Sequence, residues 1–326
     1  MIKKLIPIAA LLASMGTAHA GLEFYGLVDL SYGKNENQVP GEGARLHSGG
    51  DNGGGGGGNQ GNSTSRIGLK GSTDVGNGLK ANFKFESAEI DRDLRIGKES
   101  KTFFARQAWG GLSGSFGEVR YGRQDSVAFQ TMINYDFNGA ANAASALGWS
   151  GVAPWGTGRQ TQSLQYISPN VNGFTAQLGY AGKEDGVANA KDSTSAALTY
   201  AAGKFSVSVA AESKRTSGAE DFASIAGSYD FGVVKVMAGY ADGFYGTKWS
   251  GPSVGFVAPV AGFNVGMHYA KNNETKDDAT EFFVNREIFK NTFAYLDYGH
   301  VDYNAAPSKK AYALGVIYVF ELPILK

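Results

Sequence analysis

The sequence predicts an all-β fold, an antiparallel transmembrane β-barrel of about 16 strands. From Leu22 onward, large apolar residues recur at every second position, as in the segment from Leu79 to Phe85, and the helical period is almost missing. Short and long connections take turns along the chain, as they do in an antiparallel meander. Glycine accounts for 47 of the 326 residues and proline for only 8, a composition that suits many strands joined by many turns.

The first 20 residues are predicted to be a secretory signal peptide. "MIKK" supplies a basic start, "LIPIAALLASM" an apolar run, and Ala18 to Ala20 a small-x-small cleavage site. The apolar run is too short for a membrane-spanning helix, and a short buried helix is the alternative. We expect an exported chain that begins near Gly21 after cleavage and forms one barrel over residues 21–320.

Eight long polar connections separate pairs of strands, and this arrangement gives the count of about 16. Six tight connections rich in turn residues lie between them, for example "DVGNG" at Asp74 and "DFG" at Asp230. In a meander this alternation places the tight turns at one end of the sheet and the long loops at the other. The long connections are residues 34–64, 92–100, 125–158, 183–192, 214–220, 241–249, 271–278 and 302–308.

The alternating rows fit lipid better than a protein core. Aromatic residues collect at strand ends, where the interfacial girdles of a membrane barrel lie. The opposite face carries charge in mid-strand at Lys70, Lys84 and Arg106, which the core of a soluble sandwich would tolerate poorly. After the signal peptide, no stretch approaches the ~18 apolar residues of a membrane-spanning helix. A soluble sandwich or propeller is the remaining alternative.

Composition and spacing argue against several other functions. Basic and acidic residues balance at 30 each, so no global field attracts nucleic acid, and cysteine is absent, which rules out disulfides and thiol catalysis. The six-glycine run 53–58 lacks the strand–turn–helix context of a dinucleotide site, and "GPSVG" around Ser253 lacks the helix of a nucleophile elbow. His47, His268 and His300 lack metal-ligand spacing. We therefore expect no enzyme, no cofactor, no metal and no nucleic-acid partner.

Several stretches resemble the general-diffusion porins of Gram-negative bacteria, specifically the trimeric porin family of β-proteobacteria and neisseriae. "FYGLVDLSYG" is similar to that family's first strand, and "SRIGLKGSTDVGNGLKANFKFES" to its second and third. "FFARQAWGGLSGSFGEVRYGRQ" resembles the fourth and fifth strands, and "SLQYISPNVNGFTAQLGYA" the sixth and seventh. The resemblance implies a 16-stranded barrel, a homotrimer, and a long third loop, residues 125–158, folded into the lumen as a constriction.

The same resemblance implies a function and a set of partners. We expect an outer-membrane, water-filled channel for passive diffusion of ions and small hydrophilic solutes. Its other partners would be membrane lipid, lipopolysaccharide and the outer-membrane assembly machinery. The alternatives are an outer-membrane barrel with a plugged lumen, acting as an adhesin or structural protein, and a barrel hydrolase. Conductance would separate an open pore from both.

The closing segment "AYALGVIYVFELPILK" alternates large residues with small ones as far as Phe320. In the family that the chain resembles, the closing strand ends in an aromatic residue that is read during barrel insertion, and Phe320 fits that place. Residues 321–326 depart from this pattern. We expect them to form a short tail beyond the tight-turn end of the barrel, where Pro323 bars further strand pairing.

Seven charged residues are candidates for the narrowest part of the pore. Strand parity favours the inward face for most of the basic ones, and the resemblance places an arginine cluster opposite the third loop. Each basic residue has an alternative role as a strand-end charge near the lipid headgroups. Arg123 has the opposite parity to Arg120, so it reaches the lumen only if its strand has already ended. The candidates are Arg66, Lys70, Lys84, Arg106, Arg120, Arg123 and Asp136.

The sequence offers few acidic residues that could oppose the arginines across the pore. Asp125 and Asp136 are the only acidic residues from 125 through 158, and Asp136 in "YDFNG" is the nearest candidate for the acidic role. Arg159 either borders the constriction or merely begins the sixth strand. A basic wall that faces little acid raises the local concentration of anions, so we predict a mild anion preference.

Overall fold

The structure is a computed structural model and describes residues 21–36, 41, 43–49, 61–97 and 102–325. The predicted signal peptide and the six-glycine run lie outside the described residues. Within them, seventeen strands form one antiparallel sheet. The strands are β1 (Gly21–Asn35), β2 (Arg45–Ser48), β3 (Arg66–Gly76), β4 (Leu79–Glu86), β5 (Gln107–Gly114), β6 (Gly117–Asp125), β7 (Arg159–Ile167), β8 (Phe174–Ala181), β9 (Ser193–Ala202), β10 (Phe205–Glu212), β11 (Phe222–Asp230), β12 (Lys235–Asp242), β13 (Ser250–Val260), β14 (Phe263–Lys271), β15 (Asp278–Phe289), β16 (Thr292–Asp302) and β17 (Lys309–Leu325).

Sixteen of these strands build a closed barrel. β1 pairs with β17 along its whole length and with β3 over residues 21–27, and these two pairings close the sheet. The four-residue strand β2 belongs to the first long connection and pairs with β1 at residues 30–33. The prediction of a 16-stranded antiparallel barrel is confirmed.

The barrel turns its large apolar side chains outward. In β17, Leu314 and Tyr318 are 61% and 47% exposed, whereas Ala313, which precedes Leu314, is fully buried. Gly315 has to be small, because a Cβ there would lie 2.5 Å from the Tyr295 ring. A soluble core would bury the large residues, whereas a barrel in lipid exposes them and packs the small ones inside. The alternation of large and small residues in the closing segment thus indicates which face of the strand contacts lipid.

Tight turns and long loops alternate around the barrel, as predicted. Asn77 and Gly78, with φ of 55° and 74°, join β3 to β4, and Ala261 and Gly262, with φ of 50° and 85°, join β13 to β14. Two-residue hairpins need such left-handed backbone, which explains the Asn-Gly pair. The turn at residues 290–291 was missed in the sequence. The long loops are loop 1 (36–65), loop 2 (87–106), loop 3 (126–158), loop 4 (182–192), loop 5 (213–221), loop 6 (243–249), loop 7 (272–277) and loop 8 (303–308).

Loop 3 contains two short helices. Ser126 caps α1 (Val127–Met132) by accepting a hydrogen bond from the Phe129 amide at 3.0 Å, and a 3₁₀ turn (Ile133–Tyr135) follows. α2 is Ala146–Ser150. α1 lies against β8, β9 and β10, and α2 against β14, β15 and β16. Among the described residues, no helix has the length and apolar character that crossing a membrane requires.

Loop 3 packs on the face of the strands opposite the outer apolar band. The Tyr135 hydroxyl lies 2.8 Å from the hydroxyls of both Ser206 and Ser208, whereas Val209, the next residue along β10, is exposed on the other face. Apolar loop residues complete a buried layer with inward strand residues. This layer includes Val127, Met132, Phe137, Leu147, Met237, Val257 and Phe283.

Residues 321–325 continue the last strand. The expectation that Pro323 bars further pairing is wrong, because Pro323 lies in register with Glu23 of β1. Proline is tolerated at this position for two reasons. β16 begins only at the register of Tyr318, so β17 is an edge strand beyond it, and the register shifts by one residue just after Pro323. Edge strands and bulges are where a missing N–H does least harm to a sheet.

Candidate functional site

Three of the predicted cations converge on one buried carboxylate. Glu86, at the end of β4, accepts a hydrogen bond from Arg106 Nε at 2.7 Å and one from the Tyr25 hydroxyl at 2.9 Å. Arg66 Nε lies 3.6 Å and Lys84 Nζ 3.7 Å from the same carboxylate. The three cations come from β3, from β4 and from the residue before β5, which are neighbours in the sheet. We call Arg66, Lys84 and Arg106 the basic cluster.

Arg120 and Arg159 lie on the next two strands of the same wall. Arg120 donates to Glu118 at 2.6 Å, stacks over the Trp109 ring at 4.5 Å, and reaches Gln130 of α1 at 3.3 Å. Arg159 Nε lies 3.3 Å from Asp125. Arg120 therefore touches the beginning of loop 3, and positive side chains continue around the wall from β3 to β7.

Lys70 and Arg123 lie apart from the basic cluster. Lys70 forms ion pairs with Glu23 at 3.2 Å and with Glu321, at the seam where β1 meets the end of β17. Arg123 donates from Nε to the Ala105 carbonyl and lies among the long loops. The bulge between β6 and β7 at this level explains why simple parity does not describe Arg123.

Asp136 is buried where loop 3 meets β14 and β15. Its carboxylate accepts the amides of Asn138 and Gly139 at 3.0 and 2.9 Å and lies 3.8 Å from His268 Nδ1. Burial, and secondarily the charge of Glu281, raises the pKa of Asp136 to about 6, although His268 opposes the shift. Asp136 thus contacts the wall that holds the loop.

Side chains of the wall also hold loop 3 by accepting hydrogen bonds from its side-chain and backbone amides. Asn138 donates to Glu281 at 2.7 Å and to Asp297 at 3.1 Å. The Phe137 amide donates to His268 Nε2 at 3.3 Å, and the Ala146 amide to Glu281 at 3.1 Å. Loop 3 is therefore attached at several points to inward residues of β14, β15 and β16.

Loop 1 joins the same network through β1. Asp29 accepts the amides of Asn62 and Ser63 at 2.7 Å and the Tyr295 hydroxyl at 2.6 Å. Asn62 in turn donates to Asn138 at 2.8 Å and to Asp297 at 2.9 Å. We call the four acids of this network, Asp29, Asp136, Glu281 and Asp297, the loop anchor.

The two groups of charges differ in their access to solvent. The acids of the loop anchor are at most 1% exposed. The side chains of Arg66, Lys84, Arg106, Arg120 and Arg159 are between 11% and 30% exposed. Three acids of the basic wall, Glu89, Glu118 and Asp125, are 18%, 19% and 23% exposed. Within the described residues, the five partly exposed cations of this wall thus outnumber its partly exposed acids.

Sequence reasoning missed five members of these groups: Asp29, Glu86, His268, Glu281 and Asp297. Inward parity is the signal that would have found them. His268 and Glu281 occupy paired positions of β14 and β15, in rows whose alternate residues are apolar. A charged residue in such a row needs water or a partner. His268 had been considered only as a metal ligand.

Comparison with known proteins identifies the family. The family model described as Gram-negative porin matches residues 8–306. The chain belongs to the Gram-negative porin family. Outer membrane porin protein 32 of Delftia acidovorans is 31% identical over 254 residues, which are 72% of this chain and 68% of that protein. An outer membrane porin protein of Bordetella pertussis is 30% identical over 275 residues, which are 75% of this chain and 71% of that protein.

Solved porin structures share the fold at low sequence identity. An anion-selective porin from Comamonas acidovorans superimposes with a TM-score of 0.71 at 24% identity, covering 93% of this chain and all of that chain. OmpF of Salmonella typhi, solved with daunomycin, gives a TM-score of 0.70 at 18% identity over 92% of this chain and 97% of that chain. Together with the family match, the barrel makes this chain an outer-membrane porin, a channel rather than an enzyme, as predicted.

Proposed function

We propose that this porin passes ions and small hydrophilic solutes by passive diffusion and prefers anions mildly. The observation that carries the proposal is the difference in exposure between the two groups of charges. The cations of the basic wall keep between 11% and 30% of their side-chain surface exposed, whereas the acids of the loop anchor are fully buried and hydrogen-bonded. Fixed charges that line a water-filled passage enrich ions of the opposite sign. The anion-selective porin from Comamonas acidovorans shares the fold.

We place the constriction between loop 3 and the basic wall. Loop 3 contacts β8 to β10 and β14 to β16, so the space beside β3 to β7 stays open for solutes. Arg66, Lys84, Arg106 and Arg120 face this space in the proposal. Lys70, which is neutralised by Glu23 and Glu321, contributes less.

The two remaining candidates have different parts in the proposal. Asp136 holds loop 3 in place and presents little charge to a passing ion, since it is buried. Arg123 belongs to the entrance among the loops, farther from the narrowest part. The pore then carries a positive wall with no matching exposed acid on the described residues of loop 3, which favours anions.

The quaternary structure and the other partners are also proposals. A homotrimer follows from the resemblance to trimeric porins, and the exposed apolar band offers the surface for contacts with lipid and with neighbouring subunits. Lipopolysaccharide would contact the long loops and the outer rim. The outer-membrane assembly machinery would read the closing strand, in which Phe320 keeps its aromatic place although the strand runs on to Leu325.

Reconstitution in a planar bilayer tests the proposed function. We expect large, steady conductance steps. In a KCl gradient we expect a reversal potential that shows a higher permeability for chloride than for potassium. A reversal potential of the opposite sign would contradict the anion preference. A folded barrel without steps would favour a plugged lumen instead.

A further inference from the structure

A cavity opens among the long loops, at the end of the basic wall where Arg159 lies. Its volume is about 360 Å³, within the usual range for sites that hold small molecules. The end of loop 3 and parts of loops 4, 5 and 6 form its walls. Neither the family match nor the constriction explains why these four segments enclose a space of this size.

Three arginines line the cavity. The side chains of Arg159 and Arg215 are only about a fifth exposed, 21% and 19%. Their ion pairs are long, at 3.3 Å to Asp125 and 4.0 Å to Glu184. Arg123 donates to a backbone carbonyl. Guanidinium groups in this situation have donors left for a ligand, and their planar fork matches a carboxylate.

The acids of the cavity lie at its edge or behind other groups. Glu184 and Glu220 have side chains that are 48% and 44% exposed, so that water screens their charge, and Glu220 lies 3.9 Å from Lys248. Glu212 is buried and accepts a hydrogen bond from Thr157 at 2.5 Å. Among the residues that line the cavity, four cations, Arg123, Arg159, Lys214 and Arg215, face three acids, and the net charge of the lining is positive.

One wall of the cavity is apolar and carries an exposed aromatic ring. Tyr245 is 49% exposed although its ring packs on Phe244 at 4.3 Å, and Val187 of loop 4 is exposed beside the same space. Tyr245 has left-handed backbone, with φ of 51° between Gly243 and Gly246 at 82° and 73°. A non-glycine residue there costs roughly 1–2 kcal/mol, and such residues cluster at ligand clamps.

We propose that this cavity binds small carboxylates that carry an aromatic or similar apolar ring. The carboxylate docks on Arg123, Arg159 and Arg215, and the ring lies against Tyr245 and Val187. The inference extends the proposed function, because it adds a solute class and an entrance site to a pore that otherwise selects by charge alone. Aliphatic ions such as acetate would meet the arginines and gain nothing from the apolar wall.

Channel recording with three matched solutes tests the proposal. Potassium benzoate has both features, potassium acetate has only the charge, and benzyl alcohol has only the ring. We expect benzoate to reduce or interrupt the current at concentrations at least tenfold lower than acetate does, and benzyl alcohol to have no effect. Titration calorimetry of the detergent-solubilised porin with benzoate measures the same affinity without requiring conduction.

Three variants assign the effect to the cavity. R215Q and R123Q should each weaken benzoate binding about tenfold, and Tyr245→Ala should bring benzoate close to acetate. Lys248→Gln is the matched control, because it removes a positive charge of loop 6 that is 84% exposed and does not line the cavity. We expect the control to bind benzoate like the unmodified chain.

The outcomes separate this proposal from the channel function. Equal effects of benzoate and acetate would overturn the proposed site, and so would undiminished benzoate binding in both R215Q and Tyr245→Ala. Normal KCl conductance in the same channels would leave the proposed diffusion function standing. Benzoate binding by calorimetry without any conductance would leave the site standing and remove the proposed diffusion function.

Discussion

Replacing Glu86 by glutamine should strengthen the anion preference. Glu86 is a carboxylate shared by Arg66, Lys84 and Arg106, so the substitution raises the net charge of the wall by one. The Coulomb energy between this charge and an ion that passes at ~6 Å is about 0.7 kcal/mol in water. Screening at 0.1 M salt, where the Debye length is ~10 Å, reduces the energy to about 0.4 kcal/mol. Anions gain this amount and cations lose it, so the chloride-to-potassium permeability ratio should rise about fourfold.

The salt dependence of this effect gives the prediction a second measurable arm. At 0.01 M salt the Debye length grows to ~30 Å, and the same calculation gives an increase of about sevenfold. Reversal potentials of single channels in KCl gradients at the two ionic strengths measure both values. Single-channel conductance at high salt checks that the barrel and its loop are still formed.

Glu321→Gln is the control for Glu86→Gln. It also removes one negative charge, but Glu321 pairs with Lys70 at the seam of the barrel and its side chain is 33% exposed. We expect less than half the effect of Glu86→Gln. An unchanged or lower chloride-to-potassium ratio in an open Glu86→Gln channel would refute the placement of the basic cluster at the constriction.

Three further predictions concern stability. Asp136 has a pKa of about 6 against an ordinary 3.8, so the native state holds an extra proton between these values. The free energy of unfolding should therefore fall as pH rises through this window, by up to about 3 kcal/mol. Asp136→Asn should reduce the difference in melting temperature between pH 4.5 and 7.5, because it removes this proton and leaves its neighbours His268 and Glu281 in place. Phe283→Ala should destabilise the barrel by about 3–5 kcal/mol in denaturant unfolding, because the ring is fully buried under loop 3; a loss below about 1 kcal/mol would contradict the packing. Gly78→Val should lower the refolding yield, since it places a β-branched residue at φ 74°; a yield equal to that of the unmodified chain would count against the turn.

The sequence was sufficient for features that depend on neighbours along the chain. The alternation from Tyr312 to Phe320 identified the outer face, because successive side chains of a strand point to opposite faces. The alternation of short and long connections identified sixteen strands. The same period selected Arg66 and Lys84 as inward residues. Pro323 could not be predicted correctly from its neighbours along the chain, because the sheet accommodates a proline there only where β16 has not yet begun.

Features that depend on distant segments could not be derived in this way. Glu86 ends its strand in sequence, and only the register of β3, β4 and β5 shows that three cations surround it. His268 and Glu281 become partners through the pairing of β14 with β15, and loop 3 reaches them from more than 100 residues away. Loop geometry of this kind is fixed by contacts between segments far apart in the chain.

We infer one physical cause for the loop anchor and for the proposed anion preference. Loop 3 needs hydrogen-bond acceptors on the wall to satisfy the amides of Asn138 and Ala146, and carboxylates are the strongest acceptors. Once they accept these bonds they are buried under the loop and no longer face the water of the pore. In the proposed pore, the acids that hold loop 3 therefore contribute little to the field that a passing ion meets, and the arginines of the facing wall would determine its sign.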